Sequence, residues 1–165
     1  AFLFSGTIAS NVGYGVDDAD EDRIRAAADV AQASEFIAER TEGLATPISQ
    51  GGTNVSGGQR QRLAIARALA TDARAYLFDD SFSALDYKTD AALRHELSSR
   101  LGGKTVIIVA QRISTVLNAD QIVVLDDGRV VGAGTHEQLM EGCQEYREIA
   151  MSQLSEEELK GGDAR

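Results

Sequence analysis

Two short apolar runs separated by a helical segment constrain the fold of this chain more than any other feature of its sequence. The runs, residues 75–78 (AYLF) and 105–110 (TVIIVA), have the length and composition of buried strands. The segment between them, from about Thr89 to Leu101, favours a helix. Because strands that alternate with helices pair side by side in parallel, we predict an α/β domain with a mostly parallel sheet.

Shorter patterns predict the segments on either side of this unit. Residues 23–28 and 34–40 favour two short helices, and the opening of the chain looks all-helical. We therefore interpret residues 1–55 as a helical subdomain that is separate from residues 56–165. Asp127-Gly128 between two apolar runs is typical of a β-hairpin. Thr135 and Gln138 have the spacing of a capping box, which predicts the start of a C-terminal helix.

Charge and cysteine content exclude several classes of function. The 165 residues carry a formal net charge of −10, and an acidic surface repels phosphate backbones, so we expect no nucleic-acid partner. The single cysteine, Cys143, can form neither an internal disulfide nor a cysteine metal cluster, and is interpreted as a packing residue. His95 and His136 lack metal-ligand spacing to it. Residues 155–158 are interpreted as a frayed acidic tail, and no apolar run approaches the roughly 20 residues of a membrane span.

The segment from Val55 to Arg62 (VSGGQRQR) combines a helix start with two consecutive glycines. Ser56 and Gln59 have the spacing of a capping box, and such boxes are common at the starts of ordinary helices. Glycine in a helix costs about 1 kcal/mol relative to alanine, so Gly57 and Gly58 call for a further reason. Bare backbone N–H groups at a helix N-terminus bind phosphate, and this segment is therefore a candidate phosphate contact.

A pair of carboxylates follows the first apolar run. Asp79 and Asp80 come where the predicted strand ends, and α/β folds bind their ligands at the carboxyl ends of parallel strands. In this interpretation Asp79 binds Mg²⁺ and Asp80 faces a nucleophilic water. The alternative is an ordinary polar transition from strand to loop, which the pair alone does not exclude.

Taken together, these residues resemble the ATP-binding cassette (ABC) family over nearly the whole chain. Residues 56–59 are similar to the family's signature motif, with Val55 in place of its usual leucine, and residues 76–79 are similar to its Walker B strand. Residues 83–86 (SALD) are similar to its D-loop, residues 2–8 to the segment after its Q-loop glutamine, and residues 134–139 to the end of exporter-type cassettes.

The resemblance implies a P-loop NTPase core with a helical signature subdomain, and a dimer of two such domains that encloses two ATP molecules. Ser56, Gly57, Gly58 and Gln59 would then contact the ATP held by the partner domain. Asp79 with Mg²⁺, the base position Asp80 and the switch position Gln111 would serve the ATP held by this chain. Ser83 and Asp86, in the D-loop, complete the expected nucleotide contacts.

Three expected elements of the family are missing or altered. Gly103-Lys104-Thr105 matches the end of a Walker A loop, but Ser98 replaces its first glycine and a strand follows instead of a helix. We therefore expect the Walker A loop, and the Q-loop glutamine, upstream of Ala1, and expect the isolated chain to bind MgATP only weakly. Residues 46–52 occupy the place of the exporter X-loop without its usual charged residues.

Two further departures fall on the catalytic positions. Asp80 stands where the family has glutamate, which withdraws the carboxylate by roughly 1.5 Å. A base must lie within about 3 Å of the proton that it removes, and misplacement by about 1 Å can cost about a hundredfold. Gln111 stands where the family has histidine, and an amide cannot become cationic near neutral pH. Both changes in one chain suggest a site that binds ATP and hydrolyses it slowly.

The sequence thus predicts part of the nucleotide-binding domain of an ABC exporter half-transporter, similar to the degenerate-site subunit of a heterodimeric exporter. The expected partners are a second nucleotide-binding domain and the protein's own transmembrane domain, at the cytoplasmic face of the membrane. One alternative is a soluble ABC-type ATPase that is not linked to transport. Another is a cassette that closes on ATP as a dimerisation clamp without turnover.

Overall fold

Capping side chains determine where several helices begin in this computed structural model, which describes residues 1–17 and 19–154. Thr7, Asp20, Ser56, Asp86 and Thr135 each accept a hydrogen bond from a backbone N–H of the first helical turn. The helices are α1 (Ile8–Val12), α2 (Glu21–Val30), α3 (Ser34–Ala38), α4 (Gly57–Ala70), α5 (Tyr87–Arg100), α6 (Ile113–Val116), α7 (His136–Gly142) and α8 (Gln144–Gln153).

The strands form three two-stranded ladders within the described residues. They are β1 (Gly6–Thr7), β2 (Pro47–Ile48), β3 (Ala75–Asp79), β4 (Thr105–Val109), β5 (Ile122–Asp126) and β6 (Arg129–Gly134). Strands β3 and β4 pair in parallel, with Ala75 opposite Thr105 and Asp79 opposite Val109. The other two ladders, β1–β2 and β5–β6, are antiparallel. The strand–helix–strand unit is confirmed, and so is the hairpin at Asp127-Gly128, where both residues have positive φ.

Contacts divide the described residues into two compact units, Ala1–Val109 and a second unit that begins at Ala110. In the first unit, helices α1 and α2 pack on α4, and side chains such as Ile8, Leu63 and Leu93 are fully buried. The predicted division at residue 55 into a helical subdomain and a core remains a prediction. The opening segment is not all-helical, because β1 and β2 pair within it and short 3-10 turns flank β2.

The predicted burial of both parallel strands is wrong for the described residues. Tyr76 and Phe78 face the core of the first unit, but Leu77 between them is 67% exposed. On β4, Ile107 and Val109 are 53% and 52% exposed. The physical reason is that described helices of this unit cover one side of β3, while its other side carries apolar side chains that no described element of the unit covers.

The second unit has its own small core. Strands β5 and β6 pack with α7 and α8 around Leu139, Cys143 and Tyr146, in agreement with the interpretation of Cys143 as a packing residue. His136 Nδ1 lies 2.8 Å from the hydroxyl of Tyr146, and burial raises the pKa of that phenol. The predicted acidic tail, residues 155–158, lies outside the described residues. No helix of the described chain is both long enough and apolar enough to cross a membrane.

A buried asparagine holds the first residues of the chain to α4. Asn11 is 1% exposed, and its Oδ1 accepts hydrogen bonds from the Phe4 N–H (2.9 Å) and from Arg67 (2.7 Å). Its Nδ2 donates to the carbonyls of Phe4 (2.9 Å) and Thr7 (3.0 Å). The guanidinium of Arg67 also lies 5.0 Å from the Phe4 ring centroid. One side chain therefore satisfies polar groups from two segments that lie far apart in sequence.

We expect Asn11→Ala to lower the free energy of unfolding by about 3 kcal/mol, because several partly buried polar groups lose their partner at once. The exposed Asn118 provides a matched control, and Asn118→Ala should change stability by less than about 0.5 kcal/mol. The measurement is urea unfolding followed by far-ultraviolet circular dichroism. Equal unfolding midpoints for the two variants would contradict the assigned role.

Candidate nucleotide site

The start of α4 has the geometry of an anion-binding helix end. The Ser56 hydroxyl accepts from Gln59 N–H (3.2 Å) and the Gln59 Oε1 accepts from Ser56 N–H (3.1 Å), so the predicted capping box is confirmed. The box leaves the N–H groups of Gly57 and Gly58 among the helix's unpaired donors. Oε1 of Gln59 also accepts from Arg40 (3.2 Å), so its amide N–H₂ is the part of this side chain that remains for a ligand.

The two glycines differ in how closely the D-loop segment, residues 83–86, approaches them. A Cβ added at Gly58 would lie 3.1 Å from the carbonyl oxygen of Ala84. At Gly57 it would lie 3.6 Å from the Ala84 Cβ, which is ordinary van der Waals contact. Close approach of the backbone of residue 84 thus gives Gly58 a packing reason to be glycine, beside the phosphate-binding reason that the sequence suggested.

The two carboxylates lie at the carboxyl end of β3, as predicted. Asp79 ends the strand opposite Val109, and both Asp79 and Asp80 are exposed. Asp80 has a left-handed backbone with φ of 47°, a conformation that aspartate tolerates better than most residues. Its N–H donates to the Val109 carbonyl (3.1 Å), and its Oδ2 accepts from the Ser83 hydroxyl (3.1 Å). These bonds hold the Asp80 carboxylate at the sheet edge.

The D-loop residues Ser83 and Asp86 both bond to neighbouring residues in the sequence. The Ser83 hydroxyl bonds to the Asp80 carbonyl as well as to its carboxylate, both at 3.1 Å. Asp86 caps α5 and accepts from the Thr89 N–H (3.0 Å) and the Thr89 hydroxyl (2.7 Å). The N–H of Thr89, followed by its hydroxyl, lowers the pKa of Asp86, which keeps this carboxylate ionised. Contacts of either residue with a nucleotide stay predictions.

The predicted switch residue, Gln111, belongs to the second unit. Its side chain is exposed, and its carbonyl accepts a hydrogen bond from the amide of Gln153 (2.9 Å), which fixes the backbone just before α6. The structure therefore brings together the predicted site residues of the first unit, at the start of α4 and in the loop after β3. Gln111 lies in the second unit and is described separately. Its catalytic role remains a prediction.

In the first unit, Lys104 contacts Asp72 and β4 starts at Thr105, so a strand follows the Walker-like tripeptide as predicted.

Sequence reasoning missed a buried glutamine beside the signature segment. Gln61 is 9% exposed, and its amide bonds to residues 80, 83 and 84 of the loop after β3. The available signal was its position: Gln61 lies one turn before the buried Ile65 on the inward face of α4. A polar side chain on a buried helix face needs a partner, because an unpaired buried amide is costly.

The residues present fit Mg²⁺ bound together with phosphate rather than a metal held by protein alone. Among the described residues, no group of three or more His, Cys, Asp and Glu side chains could hold a metal ion. Mg²⁺ typically binds through one or two carboxylates and substrate phosphates, and keeps several waters. The exposed carboxylates of Asp79 and Asp80 match that donor set.

Comparison with known proteins agrees with this combination of fold and site. The family description "ABC transporter" matches residues 2–83. An uncharacterized ABC transporter ATP-binding protein of Mycobacterium bovis is 49% identical over 93% of this chain, which spans 26% of that relative. An ATP-dependent lipid A-core flippase of Saccharophagus degradans is 42% identical, over 93% of this chain and 26% of the flippase. A bacterial Atm1-family ABC exporter with ATP bound matches with a TM-score of 0.90 and 36% identity, covering 94% of this chain and 28% of that one.

A parallel strand that ends in paired carboxylates, followed by a D-loop packed on a serine-capped helix that starts with two glycines, matches the ABC class of P-loop ATPases. This chain belongs to the ABC transporter ATP-binding family and matches its exporter-type members. It spans about a quarter of the length of the curated relatives that it matches. The expected α/β fold of an ABC ATPase is confirmed.

The two signature glycines should respond differently to the same small substitution. Gly57→Ala has room for its methyl group and should leave stability unchanged or raise it by up to about 1 kcal/mol, since alanine favours the helix. Gly58→Ala must displace the Ala84 carbonyl by a few tenths of an ångström, and should be less stable than Gly57→Ala by about 1 kcal/mol. Thermal unfolding of the two variants side by side measures the difference, and equal melting temperatures would contradict the close contact.

Proposed function

We propose that this chain forms part of the ATP-binding subunit of an ABC exporter, which couples ATP binding and hydrolysis to export of a substrate across the membrane. The observation that carries the proposal is the placement of an anion-binding helix end and a pair of carboxylates beside the same loop. Bare N–H groups of Gly57 and Gly58 open α4 beside the D-loop, and the carboxylates of Asp79 and Asp80 end β3 where that loop begins.

The two surfaces suit two different ATP molecules. N–H groups at a helix N-terminus attract anions, so Ser56, Gly57 and Gly58 would contact the phosphates of an ATP held by a partner domain. Exposed carboxylates repel phosphate unless a cation lies between them, so Asp79 would hold Mg²⁺ on the ATP bound by the chain's own domain. MgATP supplies the phosphoanhydride bond. Asp80 would accept the proton of the attacking water.

The chain's own site is proposed to be degenerate. The Asp80 carboxylate is one methylene shorter than the family's glutamate, and its Oδ2 accepts a hydrogen bond from Ser83, which holds it towards the protein. Gln111 can donate a hydrogen bond to a γ-phosphate but cannot carry the positive charge of a histidine. Hydrolysis would then occur mainly at the partner's site, which uses this chain's signature helix.

The proposed partners follow from the assignment of the two surfaces to two different ATP molecules. Because the start of α4 and the carboxylates after β3 would serve different ATP molecules, each nucleotide needs a second nucleotide-binding domain. The altered positions Asp80 and Gln111 favour a partner that differs from this chain. An exporter also needs a transmembrane domain, and we propose that this chain works beside it at the cytoplasmic face of the membrane. One relative of this chain is named an ATP-dependent lipid A-core flippase, which supports a transport function.

The proposal gives opposite outcomes for two substitutions in the same chain. Gly57→Glu places a side chain and a negative charge against the partner's phosphates, and should abolish most ATPase activity of the full-length dimer. Asp80→Asn should change the activity only modestly, because it alters the slow site. Asparagine also tolerates the left-handed backbone at residue 80, so strain does not confuse the comparison. The measurement is steady-state phosphate release by the purified dimer.

Gly102→Glu is the matched control for the added charge. Gly102 is exposed and a Cβ added there meets nothing within 4 Å, so this variant should hydrolyse ATP like the wild type. ATP binding is measured separately for each variant. If Asp80→Asn is as damaging as Gly57→Glu, the chain's own site is the working one and the degenerate assignment is wrong.

A further inference from the structure

We propose that Gln61 is a positioning residue that fixes the D-loop and Asp80 against the signature helix, so that the chain's contacts with its two nucleotides move together. The inference rests on the proposed function, and it adds a residue with no expected ligand contact of its own. It is based on the hydrogen bonds that both ends of the buried Gln61 amide form with the loop after β3.

Both ends of the Gln61 amide are hydrogen-bonded to this loop. Nε2 donates to the Asp80 carbonyl (3.2 Å) and to the Ser83 hydroxyl (3.1 Å), and Oε1 accepts from the Ala84 N–H (2.9 Å). The side chain is 9% exposed, so water cannot readily replace these partners. The side chain at position 61 must donate hydrogen bonds from one end of its terminal group and accept one at the other end. An amide does both, whereas the ionised carboxylate of glutamate, the thioether of methionine and the ammonium of lysine, which have similar lengths, do not.

The three partners bracket the part of the loop that matters for the proposed chemistry. Asp80 has a left-handed backbone, and its carbonyl accepts from both Gln61 and Ser83 while its N–H donates to Val109. A non-glycine residue keeps such a conformation when its surroundings determine it from several sides. The amide of Gln61 is one of these restraints, so it helps to set the direction of the Asp80 carboxylate.

At the other end of the loop, Gln61 sets how closely residue 84 approaches the signature glycines. Its Oε1 holds the Ala84 N–H, and the carbonyl of the same residue faces the space where a Cβ of Gly58 would stand, at 3.1 Å. The bond and the close contact act on one residue from one helix. Loss of the bond would let the D-loop move away from the start of α4, where the partner's phosphates are proposed to bind.

The test compares two isosteric variants in the full-length exporter dimer. Gln61→Glu can still accept from the Ala84 N–H, but it places a carboxylate oxygen against the Asp80 carbonyl. Gln61→Met removes all three bonds while keeping the length of the side chain. For both variants we expect kcat for ATP to fall about tenfold with KM within about twofold, since misplacement by about 1 Å costs up to about a hundredfold.

Hydrogen exchange separates positioning from general damage. The Ala84 N–H should exchange faster in Gln61→Met and stay protected in Gln61→Glu, although both variants lose turnover. Ser83→Ala should add little to the loss in a Gln61→Met background, because the two side chains act on the same loop. Gln144→Met is the matched control. Gln144 is an exposed glutamine, far in sequence from the candidate site, that bonds to Glu148 (2.8 Å), and its replacement should leave kcat and KM unchanged.

Each result supports or overturns the proposal. Wild-type kcat in either folded Gln61 variant, or a loss of kcat that only follows a loss of protein able to bind ATP, would overturn it. Effects of Gln61→Met and Ser83→Ala on kcat that simply multiply would overturn it too. A wild-type dimer that neither binds nor hydrolyses ATP would instead refute the proposed function, and unchanged exchange at Ala84 in Gln61→Met would then refute the positioning separately.

Discussion

The contact between the first turns of α4 and the loop after β3 determines how the rest of the candidate site is arranged. It has two parts, the buried amide of Gln61 and the close approach of the Ala84 carbonyl to Gly58. Without the Gln61 amide, Asp80, Ser83 and Ala84 would each lose a hydrogen bond. Without the glycine, the loop could not lie so near the helix. The Gln61 side chain and the absence of a side chain at Gly58 therefore both determine the position of the loop against α4.

That geometry places surfaces of opposite electrostatic character on neighbouring backbone segments. The capped start of α4 attracts anions through unpaired N–H groups, whereas Asp79 and Asp80 attract a cation at the carboxyl end of β3. One small region can thus contribute to two nucleotide sites without conflict of charge. The proposed arrangement is also compatible with a net charge of −10, because the proposed phosphate contacts would be made by backbone N–H groups and not by basic side chains.

The sequence predicted several local features of the structure because their signals lie within a few residues. Capping boxes at Ser56 and Thr135 and the Asp127-Gly128 hairpin depend on residues a few positions apart, and each is found in the structure. Strand burial was predicted wrongly, because exposure of residues such as Leu77 depends on which elements cover the sheet. The role of Gln61 was missed for a related reason: its partners lie about 20 residues further along the chain, and periodicity does not reveal them.

The claim that the chain's own site is slow because of its two altered residues is tested most directly by restoring both. Asp80→Glu and Gln111→His would be combined in the proposed full-length heterodimer, with the partner's catalytic base disabled to remove its contribution. We expect ATP turnover to appear at the restored site, and a hundredfold gain would correspond to about 2.7 kcal/mol of activation free energy. Phosphate release that stays at the background rate, with ATP binding intact, would contradict it.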